Sequence, residues 1–205
     1  MDLGVRDALH PQPLYSTNMQ NAVSMSAFCP KMSIRESNHD ELDEICCLHE
    51  NAFSEPEGKV IAQLICNIFN DETAKPLLSL VAETNDEIAG HILFSSVMIK
   101  DSRHLSVYIL APLAVSKNYQ RQGWGTRLIH HGLDVLKARA TDIVLVLGDP
   151  EYYNRAGFQA GHNIAAPHPL KYPEAWMALE LKPGVLAQAQ GVAQCAVSLS
   201  APEYW

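Results

Sequence analysis

No apolar run in this chain approaches the roughly 20 residues needed to cross a bilayer. The longest unbroken aliphatic stretch is residues 143–147. Near the amino terminus, Asp2, Arg6, Asp7 and His10 interrupt the apolar core a secretory signal would need. Both absences predict a cytoplasmic protein with no membrane partner. The five cysteines (29, 46, 47, 66 and 195) are an odd number with no C-x-x-C pair. No disulfide framework is expected, and the cysteines read as small buried hydrophobes or free thiols. Lys and Arg total 15 against 23 Asp and Glu, a net charge of −8, and no basic patch stands out, so nucleic acid is not an expected partner. His130 and His131 are adjacent and cannot share a helix face, so the i, i+4 pair of a metal site is missing and no metal is expected. A G-x-S-x-G elbow is also absent, and no cysteine stands in a recognisable nucleophile setting.

What remains is an ordinary globular composition, 47% hydrophobic and 19% charged, over 205 residues, enough for one domain with a real core. Residues 1–31 lack periodicity and read as a flexible amino-terminal extension or as sequence from an upstream start. A short strand is predicted at 33–36, followed by capping residues at 37–40. Leu42, Ile45, Cys46, His49, Ala52 and Phe53 then mark one helix face. Val60, Ile61, Leu64, Ile65, Ile68 and Phe69 mark a second, and Pro76 closes that region. Strands are predicted at 77–84 and 88–100, joined by a hairpin turn at Asn85, Asp86 and Glu87, and at 105–115. A helix follows over 125–138, then a strand at 143–147, apolar throughout as in a strand buried on both faces. A short helix at 152–156 ends at Gly157, and strands at 158–164 and 176–181 complete a domain spanning 32–184. The Ala/Gln-rich tail, 185–205, is expected to add at most one strand, at 193–199. The order implies a mixed, mostly antiparallel α/β sheet with helices on both faces.

The most informative stretch lies where the strand ending at Val115 leads through a loop into Gly123, Trp124 and Gly125 at a helix start. Such a start offers unpaired N–H groups and the positive end of a helix dipole, which suit a phosphate. Glycine removes the Cβ that would block close approach. The dinucleotide fingerprint fails because Leu128 occupies its third glycine position, and no Gly-Lys-Ser/Thr of a Walker loop occurs. The pattern that fits is Gln/Arg-x-x-Gly-x-Gly/Ala, present as Gln120, Arg121, Gln122, Gly123, Trp124 and Gly125. In letters and in place after the fourth strand it resembles the acetyl-CoA motif of the GCN5-related N-acetyltransferase (GNAT) superfamily. Tyr153, Gly157 and Phe158 match that family's Tyr-x-x-x-Gly-Phe. The segments at 147–153 and 176–184 look closest to its YhbS-type subgroup.

The resemblance implies a GNAT fold whose sheet splays between strands 4 and 5, and an N-acetyltransferase that moves acetyl from acetyl-CoA to a primary amine in a ternary complex. It implies main-chain contacts from Leu113, Ala114 and Val115 to the pantetheine arm. The loop Gln120, Arg121, Gln122, Gly123, Trp124, Gly125 and Thr126 would hold the pyrophosphate, and the Tyr153 hydroxyl would face the sulfur. Val115 N–H is the candidate carbonyl polariser. Pro112, inside a predicted central strand, fits the bulge the family has there. Residues able to take a proton from the amine include Glu50, Glu55, Glu83, His49, His91 and His104, and water is the alternative. Asp149 either orients substrate or shapes its turn, and His162 and His168 are expected to be solvated. The acceptor amine, and whether the molecule is a monomer or a homodimer, are not encoded legibly. A non-catalytic acyl-CoA sensor is the rival reading.

Overall fold

The computed structural model describes residues 32–85 and 87–205; the extension at 1–31 and the tip of the 85–87 turn lie outside it. The elements are β1 (Ser33–Glu36), α1 (Leu42–Ala52), α2 (Glu57–Phe69), β2 (Leu78–Thr84), β3 (Glu87–Ile99), β4 (Val107–Val115), α3 (Trp124–Ala138), β5 (Ile143–Leu147), α4 (Pro150–Tyr153), β6 (Ile164–Ala165), β7 (Trp176–Glu180) and β8 (Gly191–Gln194). Strands run β1-β2-β3-β4-β5-β7 across the main sheet, antiparallel except for the β4–β5 pair. This is the expected mixed α/β architecture.

Period-two alternation divides the buried side chains between two faces. Leu80, Phe94, Leu110 and Val146 pack with Leu128, Ile129 and Leu136 of α3. Gly132 lies over the Phe94 ring, where a Cβ would sit 2.4 Å from Cε2, so α3 approaches the sheet at that residue. On the other face Leu93, Ile109 and Leu145 pack with α2 and with the carboxyl-terminal segment. α1 and α2 meet at a tight corner: a Cβ on Gly58 would lie 2.2 Å from the Glu50 carbonyl oxygen.

Buried beneath α1 is a polar chain. His49 Nε2 lies 2.9 Å from His91 Nδ1 of β3, His91 Nε2 lies 2.9 Å from Ser79 Oγ of β2, and Ser79 Oγ lies 2.6 Å from Ser37 Oγ. Both histidines are fully buried, and His49 Nδ1 has no partner. If His49 Nε2 donates and the donors run outward to Ser37, the orphan is a bare lone pair, which costs less than a buried unpaired N–H.

Four local expectations need correction. The strand placed at 158–164 is a loop that touches the sheet through one bridge, Gln159 to Ala178, and pairs again only at Ile164–Ala165. Phe158 and Ile164 are both buried, but Gly161 at φ +83 turns the chain between them. The tail strand lies at Gly191–Gln194, paired with β3 and β6, and residues 197–199 form a 3-10 turn. Val60 is 40% exposed, off the inner face of α2. The helix expected at 152–156 is α4 followed by a 3-10 turn over Asn154–Ala156.

The tail is stitched into the fold. Ser198 N–H donates to Asp71 Oδ2 at 2.8 Å and Val197 N–H to Thr73 Oγ1 at 2.9 Å. Burial opposes ionisation of Asp71, yet donors from Thr73 and Ser198 overcome it and hold its pKa down at about 2. The carboxyl-terminal Trp205 packs edge-on against Trp176, with ring centroids 5.6 Å apart.

Candidate active site

Three elements converge where β4 and β5 part. Their last paired residues are Leu110 and Val146, although β4 continues for five more residues. Just beyond, Ala111 and Pro112 together oppose the single residue Leu93, because β3 pairs Ile92 with Leu113 and Phe94 with Leu110. The expected bulge is therefore present, and the proline sits where a missing N–H interrupts no ladder. Past the bulge, Ser116 N–H donates to Ala89 C=O at 2.8 Å. Main-chain groups alternate sides along a strand, so Ala114, opposite His91, also bonds toward β3. Leu113 and Val115 then direct their N–H and C=O groups the other way, into the gap that β5 has left. Val115 C=O receives Gln120 Nε2 at 3.0 Å, and the Ala114 side chain is buried.

The loop into α3 forms one wall of that gap. Arg121 at φ +60 and Gly123 at φ +81 are left-handed, an alternation that turns successive N–H groups toward one point. The first bond within α3 runs from Arg127 N–H to Gly123 C=O. The N–H groups of Trp124, Gly125 and Thr126 thus have no partner within the helix, and Gly123 brings no side chain to cap them. The first turn carries no acidic residue to compete with an anion. The Trp124 side chain is core, packed on Tyr119 with centroids 4.9 Å apart, so only its main chain serves the loop. Gln122 Nε2 holds Asn118 C=O at 2.9 Å; like Gln120, it braces the loop.

Across the gap, β5 ends at Leu147 and is followed by Gly148 and Asp149. The Asp149 carboxylate accepts Glu151 N–H at 2.9 Å and caps α4, which assigns it to the turn. The Tyr153 ring lies against Gly148, where a Cβ would be 2.4 Å from Cε2, and packs on Phe158 with centroids 5.9 Å apart. Desolvation, with smaller contributions from Tyr152 and Asp149, raises the Tyr153 pKa well above the ordinary phenol value, so the hydroxyl stays protonated. Sequence reasoning passed over Tyr152, whose hydroxyl reaches the bare Cα of Gly125. The signal available was the Tyr-Tyr pair itself, but spacing to Gly157 favours only the second residue.

Of the base candidates, Glu50 and His104 are exposed. His49 and His91 are sequestered in the chain under α1, and Glu83 is held by Arg35. Glu55 pairs with Lys59 on the surface. On the sheet face opposite α3 there is a cleft of about 590 Å³ with walls of Ala166, Pro169, Leu170, Pro173, Trp176 and Val192. No Asp, Glu, Lys or Arg lines it. It lies beside the end of β5, on the flank away from β4, where Trp176 pairs with Leu147 and Gly148 N–H donates to Ala175 C=O at 3.0 Å. The two histidines expected to be solvated are engaged here. His168 Nε2 meets Ser200 C=O at 2.8 Å, while burial depresses the pKa of His162, whose Nδ1 accepts Ile164 N–H. Among the described residues no cluster of three or more His, Cys, Asp or Glu could hold a metal, and no helix is long and apolar enough to cross a membrane.

A splayed parallel pair, a bulged strand with main-chain groups facing the gap, and an uncapped helix start together form an open cradle. Residues 38–158 match the Acetyltransferase (GNAT) family, and the chain belongs to it. The uncharacterized N-acetyltransferase YjhQ of Escherichia coli K12 is 38% identical over 122 residues, 57% of this chain and 67% of that protein. The uncharacterized N-acetyltransferase YhbS of the same strain is 40% identical over 96 residues, 46% of this chain and 54% of its own length. Among solved structures, Escherichia coli YhbS in complex with CoA superposes with a TM-score of 0.76 at 24% identity, covering 92% of this chain and 97% of that one. A GNAT acetyltransferase from Brucella melitensis in complex with acetyl-CoA gives 0.68 at 27% identity, covering 82% and 98%.

Proposed function

We propose that this chain transfers the acetyl group of acetyl-CoA to a primary amine by direct attack in a ternary complex. The observation that carries the reading is the group of N–H donors at Trp124, Gly125 and Thr126, which open beside the β4–β5 gap with no helical partner. These and the Arg121 and Gly123 turns suit a diphosphate, and the gap-facing groups of Leu113 and Val115 suit the amides of a pantetheine arm. The amine nitrogen attacks the thioester carbon while Val115 N–H steadies the developing oxyanion. As the C–S bond breaks, the electron pair goes to sulfur and the Tyr153 phenol supplies the proton. The amine proton leaves to water, which suits the sequestration of His49 and His91, and a proton returned from solvent restores the Tyr153 phenol.

The acceptor enters from the face opposite α3, where the cleft beside Trp176, lined by no Asp, Glu, Lys or Arg, would receive its body. An amine with an apolar or aromatic body is therefore the expected substrate, in preference to a polycation. Thiol release from acetyl-CoA across an amine panel tests this. Release is expected with arylalkyl or aliphatic amines and only weakly with polyamines or aminoglycosides. The reverse order would refute the acceptor assignment and leave transfer intact. Binding of acetyl-CoA without release for any amine would favour the acyl-CoA sensor instead.

A further inference from the structure

Beyond Leu110 and Val146 no ladder joins β4 to β5, so side chains must set the width of the gap. Tyr152 reaches across it. Tyr152 leaves α4 on the β5 side, and its hydroxyl reaches the first turn of α3. A Cβ added to Gly125 would lie 2.2 Å from the Tyr152 hydroxyl oxygen, 3.5 Å from Cζ and 3.7 Å from Leu113 Cδ2. Carbon and oxygen without a bond cannot sit at 2.2 Å, so the hydroxyl fills the space a side chain at 125 would take. Gly125 is helical and buried, with no positive φ to require glycine. Its lack of a side chain is explained by the oxygen above it.

The contact brings together residues from all three parts of the cradle. Leu113 belongs to β4, and Gly125 to α3, where the neighbouring Thr126 side chain opposes the burial-driven rise in the Tyr152 pKa. Tyr153 stands edge-on to the Tyr152 ring, with centroids 5.1 Å apart and planes at 86°. Any shift of Tyr152 is therefore passed to the phenol assigned as proton donor and to the helix end assigned to the diphosphate.

We propose that Tyr152 is a positioning residue for acetyl transfer, its hydroxyl acting as the spacer that fixes α4 and Tyr153 relative to the first turn of α3. The inference rests on the proposed function for what occupies the gap. It makes Gly125 and Tyr152 interdependent, which neither residue's separate role would require.

A double-mutant cycle of Gly125→Ala and Tyr152→Phe tests this, read on CoA affinity by calorimetry, on kcat and KM, and on thermal melting. Gly125→Ala alone is expected to weaken CoA binding and lower kcat/KM by roughly 10- to 100-fold, the scale of a displacement near 1 Å at a reacting centre. Tyr152→Phe should lower kcat by a few-fold while leaving the melting temperature near that of wild type. In the double variant the nearest ring atom to the new methyl is a carbon at 3.5 Å, an ordinary contact. Affinity and kcat/KM should therefore recover at least about 5-fold over Gly125→Ala alone, the non-additivity expected of residues in contact. Additive losses in a wild type that binds CoA would overturn the spacer role alone, as would equal loss of melting temperature and activity in Tyr152→Phe. Failure of the wild type to bind CoA would remove the spacer role and the proposed function together.

Discussion

Lowering the pH from 7 to 5 is expected to destabilise this protein by roughly 2 kcal/mol through His91 alone, with His49 adding in the same direction. Burial depresses the His91 pKa to about 3, and burial together with the neighbouring His91 carries His49 well below the ordinary imidazole value. In the unfolded chain each titrates near 6.5. The folded state thus stays neutral while the unfolded state takes up protons. Stability is complete above pH 6.5 and falls from there toward pH 3 for His91. Urea denaturation at the two pH values measures the difference, and His91→Gln should flatten the slope even though it lowers stability overall. Equal unfolding free energies at pH 7 and pH 5 would show that the pair is not held neutral.

Replacing Tyr153 with Phe is expected to lower turnover by about 100-fold, within the range for loss of a positioned general acid, while acetyl-CoA affinity changes little. The ring can still pack on Gly148 and Phe158, since only the hydroxyl is removed. Because desolvation raises the Tyr153 pKa, the acid form persists at alkaline pH. The pH profile of kcat/KM should rise as the amine acceptor loses its proton and show no fall from Tyr153 up to pH 10. A Phe variant with unchanged turnover would remove the acid role, and a falling limb near pH 9 lost in that variant would contradict the raised pKa.

The two cases differ in how much of each a sequence can carry. The glycine loop, the bulge at Pro112 and the Tyr153-to-Gly157 spacing are local patterns, each encoded within a few residues, and the fold follows from their order. The His49–His91 contact joins residues 42 apart, so a sequence can nominate both as bases without revealing that they bury each other. The Tyr152–Gly125 contact has the same character: only the packed molecule shows that a helix glycine makes room for a distant phenol. Apolar residues at 158 and 164 suggest a strand, but spacing does not distinguish a strand from a loop pinned at both ends by buried Phe158 and Ile164. The docking of the tail through Asp71 and Trp176 left no periodic trace in its Ala/Gln-rich sequence.

Calorimetric titration with CoA reaches the foundation most directly. One saturable site is expected, with pantetheine, which lacks the diphosphate, binding far more weakly because the donors at the start of α3 go unused. A folded protein that takes up neither ligand, or that binds both alike, would contradict the account of the α3 cradle.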